Sequence, residues 1–381
     1  MILAVKDGRI AYHKAFGNFN YDKVEPTSIR SVYDMASVTK ACATTLAIMK
    51  LYDQDKISLN KNLGDYLPSV KGTNKEKLLI KDVLLHQAGL VSFIPFYKEI
   101  IDSTGTARPD LFATTKSDSF PVKVANSFYM KKEWTDTMFS RILQSPLGPH
   151  GKYVYSDNDF IFLAKVVEAV TGTTLDKYVQ KEFYRPLNLS TAGFKPTEYM
   201  PVKNIAPSEQ EAIFRKQLVR GNVHDPGAAM FGGVAGHAGL FSDAYDMAVI
   251  MQMHLNGGTF NGKRYLQKET IEFFTAYHNK NSRRGLGFDK PEKLARLHRS
   301  GGDNYKREEP YPALSASPAT FGHTGFTGTC VWADPENNLL YVFLSNRLTP
   351  DGTNNKLVKM NVRTDILEAF YKAFNTKYFY L

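Results

Sequence analysis

Ser37 and Lys40 stand three residues apart in Met35-Ala36-Ser37-Val38-Thr39-Lys40-Ala41. On a helix, positions i and i+3 share a face, which places the Lys40 ammonium beside the Ser37 hydroxyl. A serine hydroxyl attacks a carbonyl only when a neighbour takes or polarises its proton. A lysine does so once burial has disfavoured its charge and lowered its pKa. The small, apolar run ACATTLAIMKL that follows predicts such burial. The same spacing also fits an N-cap serine with an exposed first-turn lysine. A second copy, Ser58-Leu59-Asn60-Lys61, lies in a polar stretch that gives it no chemical setting.

Two further segments carry chemistry. Tyr155-Ser156-Asp157-Asn158 precedes the apolar run FIFLAKVVEAV. A tyrosine titrates near pH ~10, and a neighbouring ammonium favours its phenolate, which makes Tyr155 a candidate general base. The same residue types also form turns and helix caps. In Phe321-Gly322-His323-Thr324-Gly325-Phe326-Thr327-Gly328, a glycine before a strand lets a substrate backbone approach the strand edge. The backbone N–H of Phe326 can then donate, with that of Ser37, to a developing oxyanion. A glycine-rich strand entry with a surface histidine fits equally well. His224-Asp225 and His237 do not form a metal-binding spacing, so neither a metal nor a cofactor is expected. His237 is read as serving the fold or lining the cleft. No phosphate loop is present, and no carboxylate pair of the glycosidase kind is recognisable.

These residues must be held by elements that the sequence also predicts. Alternation around Asp7-Gly8 gives a hairpin, and a second hairpin turns at Asp334-Pro335-Glu336-Asn337-Asn338. Helices are expected over 37–53, 78–86, 160–170, 174–183, 244–255 and 362–374, with Gly172 and Gly257-Gly258 as stops. Residues 91–151 lack clean periodicity and read as an inserted lobe or lid. Residues 283–320 read as a surface excursion. Strands at both ends with helices between them predict an α+β fold. Its antiparallel sheet is built from both chain ends and flanked by helices, with an inserted, mostly helical region. Residues 1–35 and 256–381 would form the sheet region, and 36–255 the helical one, with a lid or insertion at 91–151.

The chain has 381 residues, 43% of them hydrophobic and 23% charged, enough for one large or two intimate domains. No run of apolar residues is long enough to predict a transmembrane segment. The opening Met1-Ile2-Leu3-Ala4-Val5-Lys6 lacks a signal-peptide layout and reads as a strand entered at once, as in a mature form or a domain of a longer chain. The net charge of +10 is spread out, with small clusters at Lys131-Lys132, Arg283-Arg284 and Arg296 to Arg299. That pattern excludes a nucleic-acid partner and suits a solvated basic surface, or attraction to an anionic substrate or cell-wall polymer. Two cysteines, Cys42 and Cys330, are expected as buried free thiols, with a bridge as the alternative.

In this order the segments resemble the serine β-lactamase and penicillin-binding-protein superfamily. They run from a hairpin through Ser37-x-x-Lys40 at a helix start and Tyr155-x-Asp157 before a helix to His323-Thr324-Gly325 on a strand. Ser156-Asp157-Asn158 also spells the S-D-N triplet of class A β-lactamases, but no class A deacylation glutamate is evident. Leu84-Leu85-His86-Gln87-Ala88-Gly89-Leu90, Phe183-Tyr184-Arg185-Pro186-Leu187 and the stretch from Gly232-Gly233 to Gly257-Gly258 look like the class C-like branch of esterases, D-aminopeptidases and D-Ala-D-Ala carboxypeptidases. The stretch Val234 to Phe241 is similar to hydrolase domains fused to family 3 glycoside hydrolases, which implies a fused or associated glycosidase as partner. The resemblance implies an acyl-enzyme hydrolase acting on small esters or D-amino-acid peptides of cell-wall origin, outside the cytoplasm. Ser37, Lys40 and Tyr155 would be catalytic; Asp157, His323, Thr324, Gly325 and Phe326 would bind substrate or the oxyanion. Asp157 stands where the class C pattern has Asn, and His323 where β-lactamases carry Lys, so β-lactam hydrolysis is expected to be weak or absent. The alternative is a catalytically weak module that binds peptidoglycan fragments and guides a partner glycosidase.

Overall fold

The computed structural model describes residues 1–279, 282–292 and 311–374. Both predicted hairpins form and join one antiparallel sheet. Its strand order is Phe321–Thr324, Cys330–Asp334, Leu339–Phe343, Ile2–Lys6 and Arg9–Lys14. Side chains alternate between the two faces of a strand, and here both faces are covered. Leu3, Val5, Val331, Ala333, Leu340 and Val342 face the helical region. Cys330, Trp332, Tyr341 and Phe343 face Leu367 and Tyr371 of the helix Val362–Ala373. The sheet is therefore the middle layer of an α+β fold, and Phe321–Thr324 is one of its edges. No helix among the described residues is long and apolar enough to cross a membrane. Cys42 and Cys330 are buried and free.

The helix Asp157–Thr171 runs through the helical region with Phe160, Phe162, Leu163, Val166 and Val167 buried. Ser156 caps its start, its Oγ accepting from the N–H groups of Asn158 and Asp159. Gly172, at φ 69°, ends it in the left-handed conformation that a glycine adopts freely. The helix Ala244–Leu255 has the predicted bounds.

Several elements differ from the sequence expectation. The first long helix opens with a π-helical turn, Lys40–Thr45, before the α-helix Leu46–Asp53. Leu175–Val179 likewise passes into a π-turn at Gln180–Tyr184. Hydrophobic periodicity locates a helix but does not register one extra residue in a turn. Residues 91–151 contain a small sheet of Phe112–Ala113, Val122–Ala125 and Phe128–Met130, and the helix Lys132–Gln144. Trp134, Met138 and Ile142 recur every four residues as its buried stripe, within a sequence otherwise polar enough to hide it. The surface excursion expected over 283–320 is corrected where it is described. Arg284, Asp289 and Lys290 are buried, as are Tyr311, Ala313 and Ala316. Arg284 pairs with Asp289 and Arg283 with Glu292, while Lys290 donates to the carbonyls of Ala319 and Thr320, partners that polarity alone does not reveal. Residues 293–310, with the Arg296 to Arg299 cluster, lie outside the described residues.

Replacing Ser156 by Ala removes the cap of the helix Asp157–Thr171, and a hydroxyl that donates to Val91 O at 2.6 Å. The expected loss is about 1–2 kcal/mol in urea denaturation.

Candidate active site

Ser37 sits in a tight turn built before the helix begins. Tyr33–Asp34 pairs with Leu240–Ser242, and the Met35 N–H donates to Leu240 O at 2.9 Å. The chain then reverses through Ala36, at φ 45°. A residue with a Cβ pays about 1–2 kcal/mol for that conformation. Buried Asp34 holds it, accepting from the N–H groups of Ala36 at 2.8 Å and His224 at 2.6 Å. Ser37 is half-buried, and its hydroxyl caps no backbone N–H; it accepts from Lys40 Nζ at 3.0 Å. Thus the Ser37–Lys40 contact is present and the N-cap alternative is not.

Lys40 is fully buried. Its ammonium has three hydrogens and donates to Ser37 Oγ at 3.0 Å, Asp157 Oδ1 at 2.7 Å and the His237 carbonyl at 3.3 Å, with the Tyr155 oxygen as a further partner. It also lies 4.7 Å from the centre of the Tyr155 ring. Burial lowers its pKa, but the Asp157 carboxylate, the Tyr155 oxygen and the hydrogen bonds outweigh burial and leave it raised. This corrects the expectation of a lysine neutralised by burial: Asp157 stabilises the charged form. Asp157, expected on the substrate, is engaged with Lys40.

Tyr155 is carried into the site by the segment that caps the helix. Burial raises its pKa, while Lys40 and hydrogen bonds from Lys40 and Ser37 lower it; burial prevails. The resting group is a phenol, where the sequence favoured a phenolate. The arrangement therefore holds one serine hydroxyl, one ammonium and one phenol in mutual contact.

The sheet edge closes on the serine turn from the other side. Thr327 Oγ1 donates to Asp34 O at 2.7 Å and Thr329 Oγ1 to Met35 O at 3.1 Å. A Cβ on Gly325 would collide with Met35 O and the Thr329 hydroxyl, so this glycine is required for docking the edge onto the turn. Among the described residues, neither the Ser37 N–H nor the Phe326 N–H has a hydrogen-bond acceptor. Thr324 is partly exposed and the Phe326 side chain is exposed. His323 is buried, its Nδ1–H donating to Thr324 O at 2.7 Å. Burial holds its pKa down to about 3, so it is neutral and lends no positive charge. The sequence had allowed a surface histidine there, and the structure excludes that.

Further ionisable residues surround this centre. His237 Nε2 meets Asp225 Oδ1 at 2.9 Å, and donor atoms of Asp157, Asp225 and His237 lie within 4.8 Å of one another. The Lys40 ammonium already provides positive charge at Asp157. His86 and Asp159, both buried, contact each other at 2.7 Å behind Tyr155. Arg284, paired with Asp289, lies 5.9 Å from the centre of the Tyr155 ring. His86 stood in a motif quoted above for its family wording. Asp159 carried no signal beyond being a charged residue beside an apolar run, and Arg284 stood in the Arg283-Arg284 cluster read as surface charge.

The chain matches the β-lactamase family over residues 1–360. A Salmonella paratyphi A protein named "Putative D-alanyl-D-alanine carboxypeptidase" is 32% identical over 373 residues, covering 91% of this chain and 78% of its own. Among solved structures, a penicillin-binding-protein homologue from Caulobacter crescentus superposes with a TM-score of 0.66 at 19% identity, covering 98% of this chain and 91% of that one. A class C β-lactamase from Rhodobacter sphaeroides gives 0.65 at 16% identity, covering 96% and 94%. EstCE1, described as a hydrolase with promiscuous acyltransferase activity, gives 0.64 at 18% identity, covering 95% and 92%.

Gly325→Ala is expected to push the sheet edge off the serine turn and cost about 1–3 kcal/mol, read as a lower thermal midpoint.

Proposed function

The chain belongs to the β-lactamase family of serine hydrolases, and we propose that it acts through an acyl-enzyme on small esters or D-amino-acid peptides of cell-wall origin. The observation that carries this reading is the Ser37 Oγ to Lys40 Nζ contact of 3.0 Å, beside Tyr155 and two backbone N–H groups that have no acceptor among the described residues. Ser37 Oγ attacks the substrate carbonyl, whose oxygen becomes an oxyanion held by the N–H groups of Ser37 and Phe326. Tyr155 and Lys40 together take the serine proton and pass it to the leaving alcohol or amine as its bond to the carbonyl carbon breaks. Water then attacks the acyl-serine and gives its proton to the same couple, which returns it to Ser37 Oγ as the acyl–Oγ bond breaks and the acid is released. Thr324 and Gly325 border the path of the substrate backbone along the sheet edge.

The relatives named as carboxypeptidases support the peptide substrate and an extracytoplasmic setting. The neutral, buried His323 supports weak β-lactam hydrolysis, because it offers a substrate carboxylate no charge. One observation favours a second reading, a catalytically weak module that binds peptidoglycan fragments for a partner glycosidase: the Asp157 carboxylate fixes Lys40 as an ammonium.

Ser37→Ala is expected to lower hydrolysis of p-nitrophenyl acetate and butyrate by about 10³-fold or more with an unchanged thermal midpoint. Full activity in that variant sinks the assignment.

The pKa of Lys40 and that of Tyr155 are both raised, so the resting couple holds one proton too many to accept another from Ser37. The competent form grows as that proton leaves, and kcat/KM therefore rises with pH toward the apparent pKa of the couple. Asp157→Asn removes the largest upward influence on Lys40 and leaves burial, which lowers its pKa. The ascending limb is expected to move to lower pH, with higher activity at neutral pH. That rise favours the weak-module reading of the natural chain, whereas a loss makes Asp157 part of a working site.

A further inference from the structure

Behind Tyr155 lies a second pair of ionisable groups that the reaction does not use. His86 and Asp159 are each 1% exposed, and His86 Nδ1 is 2.7 Å from Asp159 Oδ2. At first sight this is an ion pair. The backbone argues otherwise. The Ser156 N–H, fixed in direction by its peptide, points at the same His86 Nδ1 from 3.2 Å. A hydrogen on Nδ1 would oppose it, so Nδ1 presents its single lone pair, shared between the two contacts, and the ring hydrogen sits on Nε2, which is buried without a partner among the described residues. The 2.7 Å contact then needs its proton on the carboxyl. Asp159 Oδ1 is buried without a partner among the described residues, which suits a neutral acid better than a carboxylate. Burial pushes Asp159 well above the usual carboxylate range and His86 well below the usual imidazole range, in the same direction as the geometry. Lys40, Arg284, Asp157, His323 and Asp289 act on the pair electrostatically, and the Tyr153 and Tyr155 rings pack against the imidazole.

The pair grips the segment that carries Tyr155. His86 lies at φ 57°, in the left-handed region, a costly conformation for a residue with a Cβ. There its carbonyl accepts from the Val154 N–H at 2.9 Å while its ring accepts from the Ser156 N–H, one on each side of Tyr155. The imidazole packs on the Tyr155 ring, with centres 4.7 Å apart.

We propose that His86 and Asp159 form a neutral clamp in which the protonated Asp159 carboxyl donates to His86 Nδ1 and the imidazole fixes the Tyr155 ring. Both are positioning residues, and their kinetic importance rests on the reading of Tyr155 as a proton carrier.

The test compares Asp159→Leu, Asp159→Asn and His86→Asn with the wild type on p-nitrophenyl butyrate. Leucine keeps the volume but loses the donor, and kcat is expected to fall about tenfold or more, with KM held within about threefold. Asparagine, whose amide N–H can donate to Nδ1, is expected to recover at least about a third of wild-type kcat. An Asn variant as poor as the Leu variant would mean that a charge is needed, and overturns the clamp. Wild-type kcat in the Leu variant overturns it too. If Asp159→Leu does not fold, His86→Asn carries the test, since asparagine tolerates left-handed backbone: a kcat loss of about tenfold is expected, and wild-type kcat overturns the clamp.

Infrared spectra read protonation without turnover. The carbonyl stretch of a protonated carboxylic acid should be present in the wild type and missing from Asp159→Asn. Its absence from the wild type overturns the clamp even if no ester is hydrolysed, while an inactive wild type that shows the band overturns the hydrolase reading and leaves the clamp standing.

Discussion

A buried ammonium that must find its hydrogen-bond acceptors inside the protein is the constraint on which the rest of the site depends. Taking the Lys40 charge out of water costs several kcal/mol unless every hydrogen finds an acceptor. The acceptors come from residues 37, 155, 157 and 237, which no local element can bring together. Three pieces of chain must therefore converge on one nitrogen: the turn before the first helix, the start of the helix Asp157–Thr171, and the glycine-rich loop before Leu240–Ser242. Losing any one leaves part of a buried charge unanswered. The catalytic geometry and the packing of the helical region are thus a single requirement.

Side chains that look out of place in a buried helix make sense on this footing. Thr44 donates to Gly236 O at 2.7 Å, and Thr39 Oγ1 accepts from the Leu240 N–H at 3.1 Å. They tie the Lys40–Thr45 turn to the loop that supplies the His237 carbonyl. The π-helical register loosens the regular backbone pattern, and Tyr184 OH donates to Cys42 O at 2.8 Å within it. Buried hydroxyls here serve backbone groups as well as filling space. The same logic fixes the sheet edge, where Thr327 and Thr329 donate to the carbonyls of Asp34 and Met35, the two residues that lead into the serine turn.

The reactive residues and the sheet were legible in the sequence because each has a local signature. Ser37 and Lys40 share a helical face, Tyr155 precedes a capped apolar helix, and both hairpins alternate around turn residues. The protonation states were not legible, because they depend on partners far along the chain. Nothing near Lys40 in sequence announces Asp157, so burial alone suggested a neutral amine where the carboxylate keeps an ammonium. Arg283-Arg284 read as surface charge for the same reason, since Asp289 and Glu292 become their partners only once the segment folds back. The helix Lys132–Gln144 was hidden differently: its buried stripe is narrow, and its remaining residues are polar.

Asp157 and Asp159 show how far position decides chemistry. They lie two residues apart at one helix start, about 200° around its axis by the ordinary helical repeat, so they look to opposite sides. Asp157 meets an ammonium and its Oδ1 accepts a hydrogen bond from Lys40 Nζ at 2.7 Å. Asp159 faces an imidazole whose lone pair is already directed by a backbone N–H, and must bring its own proton. Tyr155, two residues before Asp157, lies between the two environments, with Lys40 over one part of its ring and His86 against another. A charge on Asp159 would add a second carboxylate near the phenol and oppose any phenolate formed during turnover. Keeping that carboxyl neutral leaves Lys40 as the electrostatic influence that favours proton release from Tyr155, so the clamp can fix the ring without opposing its ionisation.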